Sequence, residues 1–458
     1  MEAVNYFLGK AKTAFIFLLI WVAGIKSFSQ ADNLSKKINP DLLKQDFTML
    51  RDSLQILHAG LYRYKSKKEI DLLFDSCYKT LDQPMSEAEF FRLTSFAIGA
   101  IEDGHTNCRL PRDMQRDYLN NVKVFPALVM FINNRAFILC SKQNDALAGA
   151  ELLSINDRPM KEIIQNLFLL IPSDGAIQSR KNWELIENFP LFYNLVYGEK
   201  ESFVITVKTK SGDTKSVNLN ADLIKNIYCV NPPGRPKKYL QLNYTPGNVA
   251  VLTIKSFFNG FLSQTNENFK SFLDSAFKDL KDKKVTKLII DVRGNQGGND
   301  DNGILLYQYI ASEPFRYYES QETNKEKFSE SGHENLGIKF PAQNNFNGKV
   351  FFLIDGRSFS ASAEFAAVAK SNDRGLFIGE ETGGGYYGNT SGDDITITLP
   401  NSQITARIPM VKYTSAVKKM QFSDRGVIPD YISYPDVDYF SQHSDVQLEY
   451  ALKIANGK

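Results

Sequence analysis

The sequence predicts an α/β protein whose main domain has a parallel β core, preceded by a helical bundle and a β-rich domain. Between residues 249 and 378, short apolar runs alternate with amphipathic stretches, which is typical of a mostly parallel sheet. Between residues 41 and 101, apolar residues recur at three- and four-residue spacings, which indicates helices. Between residues 122 and 219, strand-like runs separated by turns indicate a β-rich domain.

Length and composition are those of an ordinary globular protein. The 458 residues suffice for two or three domains with a large buried core. Hydrophobic residues make up 43% of the chain and charged residues 23%, and the formal net charge is +2. No basic block stands out, so the sequence gives no reason to expect a nucleic-acid partner.

The first residues have the pattern of an export signal. Two lysines precede an apolar run from Ala14 to Gly24, and Ser27 and Ser29 are small residues where signal peptidase needs them. We predict a signal peptide over residues 1–29 and a periplasmic or secreted mature protein without a stable membrane span. Because the apolar run is short for a span, an uncleaved anchor is the lesser alternative.

Cysteine usage predicts neither a disulfide framework nor a zinc site. The four cysteines, Cys77, Cys108, Cys140 and Cys229, are far apart in the chain. Disulfide scaffolds are typical of short chains that are rich in cysteine, which this chain is not. The paired spacing of zinc ligands is missing as well.

Residues 30–115 are predicted to form an N-terminal helical bundle that ends in a loop with a histidine. In Asp103-Gly104-His105-Thr106, a glycine turn ends the helical pattern, and such a loop can present the His105 ring to a cleft. Histidine is suited to general base catalysis near neutral pH. A surface histidine is the alternative for His105, and His58 is predicted to be a structural or surface residue.

Residues 120–222 are predicted to form the β-rich domain. Strands over Val124–Phe131 and Ala136–Leu139 are joined across Asn133 and Asn134, and Gly149–Met160 leads into a helix. The stretch Gly149–Met160 resembles the part of a PDZ domain that has a strand, a tight turn and a helix. That resemblance implies capture of a peptide by strand addition. A plain β-rich insert is the alternative.

A third domain is predicted over residues 239–440, with residues 441–458 as a C-terminal helix or tail. The Pro- and Gly-rich segment Cys229–Lys238 marks its start. Buried strands at Val249–Ile254 and Lys287–Val292 flank an amphipathic helix, and the second strand runs into a loop that contains Gly297 and Gly298. Loops after parallel strands gather at one edge of the sheet, so this loop should meet the loop that follows the next strand.

The next strand, Val350–Ile354, leads through a short turn to Ser360. Small residues and good helix formers follow, which predicts a helix that begins at or just after Ser360 and ends near Asn372. A hydroxyl in such a strand-to-helix turn lies beside the free N–H groups of the helix start. The alternative is a plain N-cap serine without a chemical role.

A nucleophilic serine needs a base and N–H donors for the negative charge that develops on the carbonyl oxygen. The N–H of Ala361 directly follows Ser360. A glycine pair allows a loop to turn an N–H inward without a side chain in the way. Gly297 and Gly298 are therefore the candidates for the second donor of an oxyanion hole.

Three motifs follow one another after the β-rich domain. They are Asp291-Val292-Arg293-Gly294-Asn295-Gln296-Gly297-Gly298, Ser360-Ala361-Ser362-Ala363-Glu364-Phe365 and Gly379-Glu380-Glu381-Thr382. In this order they resemble the C-terminal processing (tail-specific) protease family, which includes the tricorn protease core, and the resemblance covers most of the mature chain. It implies a crotonase-like catalytic domain and places the nucleophile at Ser360 rather than at Ser358 or Ser362.

The resemblance also bears on the base. The tail-specific branch uses a lysine after the Gly-Glu motif, but the best-fitting position here is Gly385. The tricorn-like branch uses a histidine ahead of the PDZ domain, which implies that His105 is the base. That branch also has an acid near a Gly-Val-x-Pro-Asp motif, which matches Gly426–Asp430. Ser423 stands where the acid is expected, so the adjacent Asp424 is the candidate, with a surface carboxylate as the alternative.

These observations predict an exported serine endopeptidase that cleaves peptides or unfolded proteins by acyl transfer, without a metal or organic cofactor. With an unperturbed His105 as the base, activity should rise between about pH 6 and 7. Two alternatives stay open. One is a non-catalytic protein that binds hydrophobic ligands or peptides on the same scaffold, and the other is an esterase.

Overall fold

The computed structural model describes residues 37–229, 236–330, 333–437 and 445–457. The predicted signal peptide, residues 1–29, and most of the predicted linker lie outside the described residues.

Three helices open the described chain, as the three- and four-residue spacings predict. They are α1 (Pro40–Leu57), α2 (Lys67–Lys79) and α3 (Glu87–Gly99). Helices α2 and α3 each begin with a capping box, in which Ser66 pairs with Glu69 and Ser86 with Glu89. After α3 the chain passes through the predicted histidine loop into β1 (Asn107–Arg109) and α4 (Arg112–Asn120).

The β-rich region contains a six-stranded sheet with the order β3-β4-β5-β7-β8, in which β6 also pairs with β5. Its elements are β2 (Lys123–Val124), β3 (Leu128–Ile132), β4 (Arg135–Cys140), a 3₁₀ turn (Asp145–Leu147), β5 (Glu151–Ile155), β6 (Arg158–Pro159), α5 (Met160–Phe168), α6 (Ser179–Tyr197), β7 (Ser202–Lys208), β8 (Thr214–Asn220), β9 (Asp222–Leu223) and α7 (Ile224–Ile227).

The predicted hairpin across Asn133 and Asn134 is confirmed, and both residues have positive φ, 47° and 60°. The strand predicted over Val124–Phe131 is divided, however, because Pro126 has no N–H to donate to a ladder. Its first part, β2, pairs with β9 instead of with the main sheet. Helix α6 was not predicted, since Pro190 interrupts the helical pattern near its middle.

The third region is built on a sheet with the order β10-β11-β12-β16-β17-β22. Only β10 is antiparallel to its neighbour, which confirms the mostly parallel core. Its elements are β10 (Leu240–Thr245), β11 (Val249–Ile254), α8 (Asn259–Gln264), α9 (Phe269–Asp282), β12 (Lys287–Asp291), α10 (Asp300–Gln308), β13 (Phe315–Arg316), β14 (Tyr318–Glu322), a 3₁₀ turn (Glu334–Leu336), β15 (Ile338–Lys339), β16 (Lys349–Ile354), α11 (Ala361–Ser371), β17 (Leu376–Gly379), β18 (Thr390–Ser391), β19 (Ile395–Thr398), β20 (Thr405–Ile408), β21 (Val411–Ser415), β22 (Tyr431–Ile432) and α12 (Val446–Ala455).

The strands of this sheet are buried on both faces. Helices α9, α10 and α11 contribute apolar side chains to the core on one face, while α12 covers Val251, Ile289 and Leu353 on the other. Arg293, at the end of β12, is buried and bonded to Asp445 at the start of α12 at 2.8 Å. Arg293 of the Arg-Gly-Asn motif therefore also binds the start of the C-terminal helix to the sheet.

The N-terminal bundle and the third region are joined by a small sheet with the order β1-β20-β19. Residues Asn107, Cys108 and Arg109 pair with Arg407, Ala406 and Thr405. Apolar side chains of the bundle, the β-rich region and the β19–β20 hairpin belong to one continuous core. The hairpin thus fixes the histidine loop against the region that carries Ser360.

A disulfide between Cys140 and Cys229 corrects the expectation drawn from cysteine spacing. The two residues are 89 positions apart in sequence, but folding brings β4 and the end of the β-rich region together. Cys77 and Cys108 are free. Among the residues that the structure describes, no helix has the length and apolar character to cross a membrane.

Candidate active site

Ser360 occupies the turn between β16 and α11 in a backbone conformation that side chains rarely adopt. Its φ is 55° and its ψ is −132°. Helix α11 begins at the next residue, as predicted, but the Ser360 side chain forms no capping hydrogen bond. Ser360 thus stands at the N-cap position without capping the helix, and the turn leaves its hydroxyl available to other partners.

The two neighbouring serines are buried in structural positions. The Ser358 hydroxyl donates to the carbonyl of Val292 at 2.9 Å and is inaccessible to solvent. Ser362 is equally buried within α11. Ser360 is the partly exposed member of the three, so it alone can meet a substrate.

Asn295 organises the glycine loop next to Ser360. Its side-chain N–H donates to the carbonyl of Ile254 at 3.1 Å, and its main-chain carbonyl accepts the N–H of Phe359 at 3.1 Å. Its Oδ1 accepts the N–H of Gly297 at 2.9 Å. Asn295 thereby binds the glycine loop to the turn that carries Ser360.

The hydrogen bonds of this loop separate the two glycine candidates. The N–H of Gly297 is engaged by Asn295. Within the described residues, the N–H groups of Gly298 and Ala361 donate to no protein acceptor. Gly297 has a φ of 91°, and a Cβ there would come within 2.7 Å of the Ser360 Cβ. Gly297 therefore permits the close approach, while Gly298 and Ala361 offer free donors.

His105 lies beside the turn of Ser360. Its ring stacks on that of Phe359, with 4.4 Å between the ring centroids. A Cβ on Gly104 would come within 2.9 Å of the Phe359 ring, so the approach of the loop depends on glycine. The His105 side chain is only 7% exposed. The structure thus brings the predicted base to the residue before the predicted nucleophile.

Two buried carboxylates accompany His105. Ligating atoms of Asp103, His105 and Asp174 all lie within 4.8 Å of one another, so this trio is a possible set of metal ligands. Asp174 accepts the N–H of Gly104 at 2.8 Å and that of Gly385 at 3.0 Å. It therefore joins the histidine loop to the position where the lysine base of the tail-specific branch would be expected.

Asp424 reaches this region through its main chain. Its carbonyl accepts the N–H of Ala176 at 2.8 Å, and a Cβ on Gly175 would collide with it. The loop with Asp424 thus packs on the turn that carries Asp174. The acids that gather with His105 are Asp103 and Asp174.

Burial dominates the electrostatics of the cluster. It lowers the pKa of His105 to about 4. The charge of Asp103 opposes this shift, and the guanidinium groups of Arg407 and Arg180 add to it. Burial also opposes the ionisation of Asp103, but neighbouring imidazoles and the Thr106 hydroxyl hold the pKa of Asp103 below its ordinary value. Burial and the charge of Asp103 raise the pKa of Asp174 to about 7. At neutral pH His105 is therefore an uncharged imidazole that can accept a proton.

A cavity of about 670 Å³ opens beside the histidine loop. Gly104 and Asn107 of that loop lie at its wall, together with Arg180 of α6. The Arg180 guanidinium lies over the Phe359 ring at 4.5 Å. The apolar residues of the cavity wall come from the helical bundle and the β-rich region and include Leu110, Leu128, Leu170, Leu191 and Ile227.

Asp103, Thr106 and Asp174 are not among the site residues predicted from the sequence. Asp103 and Thr106 stand next to His105 in the same motif, and this proximity is the signal that could have pointed to them. Asp174 lies 69 positions after His105, in an unpatterned turn before the unpredicted helix α6. Only the tertiary structure brings it to the site.

Comparison with known proteins identifies the domain that holds Ser360. Residues 248–433 match the model of Peptidase family S41. Comparison with curated protein sequences gave no match. Among solved structures, mature CPAF has a TM-score of 0.63 at 14% identity, over 91% of this chain and 97% of the other. CPAF complexed with lactacystin gives 0.61 at 15% identity, over 92% and 99%.

A photosystem II D1 C-terminal processing protease gives a lower TM-score of 0.43 at 13% identity, over 90% of this chain and 97% of the other. The similarity to CPAF extends over nearly the whole of both chains, so the fold is shared beyond the matched domain. The chain carries a domain of Peptidase family S41 and is a serine-type peptidase, in agreement with the resemblance drawn from its motifs.

Proposed function

We propose that the protein is an exported serine endopeptidase that cleaves peptides or unfolded proteins through an acyl-enzyme intermediate. The observation that carries this proposal is the turn of Ser360. Ser360 is partly exposed, the next residue, Ala361, has a free N–H, the glycine loop with the free N–H of Gly298 packs against the turn, and His105 stacks on the preceding residue. These are the parts that acyl transfer requires.

In the proposed reaction, the Ser360 Oγ attacks the carbonyl carbon of the scissile peptide bond while its proton passes to Nε2 of His105. The N–H groups of Ala361 and Gly298 hold the resulting oxyanion. His105 then gives the proton to the leaving nitrogen, and the C–N bond breaks to form the acyl-enzyme. Water, activated by His105, hydrolyses the ester and restores Ser360.

The β-rich region over residues 120–222 is proposed to capture substrate as a PDZ-like domain. Strands β3 and β8 are the two edges of its main sheet. An extended peptide can add to such an edge through main-chain hydrogen bonds. This mode of capture favours unfolded chains over folded proteins, because only an extended segment can pair with a strand.

Export is supported by the N-terminal signal pattern and by the Cys140–Cys229 disulfide. Disulfides persist in oxidising compartments such as the bacterial periplasm or the extracellular space.

Fluorophosphonate labelling of the mature protein, mapped by mass spectrometry, tests the proposal. We expect label on Ser360 in the wild type, none in Ser360→Ala, and strongly slowed labelling in His105→Ala. Cleavage of an unfolded model protein should follow the same order. Label on a different serine, or cleavage that survives Ser360→Ala, would rule the proposal out.

The cavity beside the histidine loop favours a second candidate, a binding protein for apolar ligands. Its apolar lining and its volume are those of small-molecule sites. Thermal stabilisation by lipids that persists in Ser360→Ala, without any peptidase turnover, would support this function. Hydrolysis of activated esters without cleavage of an unfolded protein would instead indicate an esterase.

A further inference from the structure

A chain of buried hydrogen bonds lies behind the candidate base. The Nδ1 atom of His58 accepts the N–H of Gly60 at 3.1 Å, so the proton of the neutral ring is on Nε2. That Nε2 lies 2.7 Å from Oγ1 of Thr106. The Thr106 hydroxyl in turn donates to Oδ1 of Asp103 at 3.0 Å. His58 therefore supports the Asp103 carboxylate through the hydroxyl of Thr106.

Two buried atoms at the end of this chain make no hydrogen bond within the described part of the protein. They are Oδ2 of Asp103 and Nδ1 of His105. The remaining oxygen of Asp103 accepts three bonds, from the main-chain N–H groups of His105 and Thr106 and from the Thr106 hydroxyl. A carboxylate oxygen accepts and an imidazole N–H donates, and ligating atoms of the two side chains lie within 4.8 Å of each other. The same Oδ2 of Asp103 also lies 3.7 Å from Nε2 of His58, which holds the carboxylate from its other side. Catalytic hydrogen bonds are often long in the absence of substrate.

The other two acids are less suitable partners for His105. Each oxygen of Asp174 already accepts a main-chain N–H, from Gly104 and from Gly385, so Asp174 braces two loops. Among the described residues, the cluster of side-chain ligating atoms around His105 contains Asp103 and Asp174 but not Asp424.

We infer that Asp103 is the positioning residue of this site, which holds His105 as the Nδ1–H tautomer and stabilises the imidazolium formed when Ser360 is deprotonated. This inference rests on the proposed Ser360–His105 mechanism and extends it. Thr106 and His58 fix the Asp103 carboxylate in place. The acid of the site is thus supplied by the same loop as the base.

Nitrogen-15 NMR of the histidine rings tests the tautomer independently of activity. The chain has only four histidines, so ¹⁵N-histidine labelling of the full-length Ser360→Ala protein gives few signals. We expect His105 as the Nδ1–H tautomer and His58 as the Nε2–H tautomer. Asp103→Asn should remove the preference of the His105 ring for the Nδ1–H tautomer. A His105 ring with its proton on Nε2, or one unaffected by Asp103→Asn, would overturn the inference.

Kinetics on peptide cleavage give a second test. Asp103→Asn should lower kcat by about 10⁴-fold with little change in KM, as expected when a base is held in the wrong tautomer. Asp113→Asn is the matched control, since that residue is exposed and pairs with Arg116 on the same helix. A loss of turnover in Asp424→Asn that Asp103→Asn does not show would assign the acid to the late loop and refute the inference.

Thr106 provides a variant pair in case Asp103→Asn fails to fold. Thr106→Val removes the hydroxyl that joins His58 to Asp103, whereas Thr106→Ser keeps it. We expect kcat to fall at least tenfold in Thr106→Val and to be restored in Thr106→Ser. Equal turnover in both variants would contradict the inference.

The pH profile separates positioning from a merely structural role. The charged or titratable groups that face His105 are Asp103 of its own loop, His58 after α1, Asp174, Arg180 of α6, Asp394 before β19 and Arg407 of β20. Loss of the Asp103 charge should move the acid limb of kcat/KM to lower pH, because the imidazolium loses its counter-charge. An unmoved limb would count against Asp103. Absence of label on Ser360 in the wild type would instead defeat the proposed mechanism and leave the tautomer result standing.

Discussion

At the scale of single residues, the site combines a strained nucleophile with a buried base. The positive φ of Ser360 is a conformation in which glycine is more stable than any residue with a side chain. Neighbouring groups hold it there, since the main-chain carbonyl of Ser360 accepts N–H groups of Ala363 and Glu364. The backbone strain of the site is therefore located at the residue that carries the proposed nucleophile.

That strain predicts an inverse relation between stability and activity at position 360. Ser360→Gly should be more stable than Ser360→Ala by about 1 kcal/mol, because glycine relieves the strained φ and alanine does not. Both variants should lack peptidase activity. Urea unfolding of the two variants measures the difference, and equal midpoints would show that the turn is not strained.

The burial of His105 changes the pH dependence expected from its sequence. A base works in its neutral form, so the rate rises as pH increases through its pKa. Since burial lowers the pKa of His105 to about 4, the acid limb of kcat/KM should lie near pH 4 to 5 instead of between 6 and 7.

The same shift makes His105 a source of acid instability. The unfolded chain binds a proton at His105 below about pH 6.5, while the native protein does so only near pH 4, so stability falls over that window as pH decreases. A pH–rate profile on a short peptide, with folding monitored by circular dichroism, separates the two effects. A limb at pH 6 to 7 in folded protein would mean that the ring is not buried in the working enzyme.

At the scale of secondary-structure elements, the pairing of β1 with β20 decides where the base lies. The turn between β19 and β20 is held in addition by the buried carboxylate of Asp46 on α1. Asp46 accepts the main-chain N–H groups of Asn401 at 3.0 Å and Ser402 at 2.7 Å, and the Ser402 hydroxyl at 2.6 Å. The helical bundle thereby fixes the position of the β19–β20 hairpin, which in turn pairs with the strand that follows the histidine loop.

Removal of this carboxylate should weaken both the fold and the site. We expect Asp46→Ala to lower the free energy of unfolding by about 3 kcal/mol, because several buried donors lose their acceptor. Turnover should fall as well, since β20 positions the histidine loop. Asp52→Ala, at a half-exposed position beside Arg51 on the same helix, should change stability by less than about 0.5 kcal/mol. Denaturant unfolding and a peptidase assay compare the two variants. Similar free energies of unfolding and similar turnover would show that Asp46 does not stabilise the hairpin.

Most elements could be predicted from local pattern, whereas the contacts between them could not. The run Val350–Ile354 is apolar throughout and folds as a buried strand, and Ser360 is followed by a helix as its neighbours indicate. Helix α6 was missed because Pro190 weakens its signal. Asp174 could not be found because its partners, Gly104 and Gly385, are far from it in sequence. Hydrophobic periodicity shows which face of a helix or strand is buried. It does not show which distant loop packs against that face.

At the scale of the whole molecule, the Cys140–Cys229 disulfide links two distant points of the β-rich region and closes a covalent loop across it. Cys229 follows α7 and Tyr228, which line the cavity beside the histidine loop. The bond therefore ties one wall of that cavity to strand β4.

Loss of the disulfide should destabilise the protein substantially. For a loop of 89 residues, chain entropy predicts a cost of about 4.6 kcal/mol when Cys140 and Cys229 are both replaced by serine. The unreduced, denatured wild type should show two titratable thiols, from Cys77 and Cys108, and four after reduction. Thermal unfolding with and without reductant measures the effect. Four thiols without reductant would disprove the bond.

The pairing of β1 with β20 also has a consequence for biosynthesis. The ribosome makes His105 first and Ser360 later, but residues 405–408 emerge only after both. A growing chain can thus expose both reactive side chains while the strand that seats the histidine loop does not yet exist. Translation order alone delays assembly of the site until nearly the whole polypeptide is available.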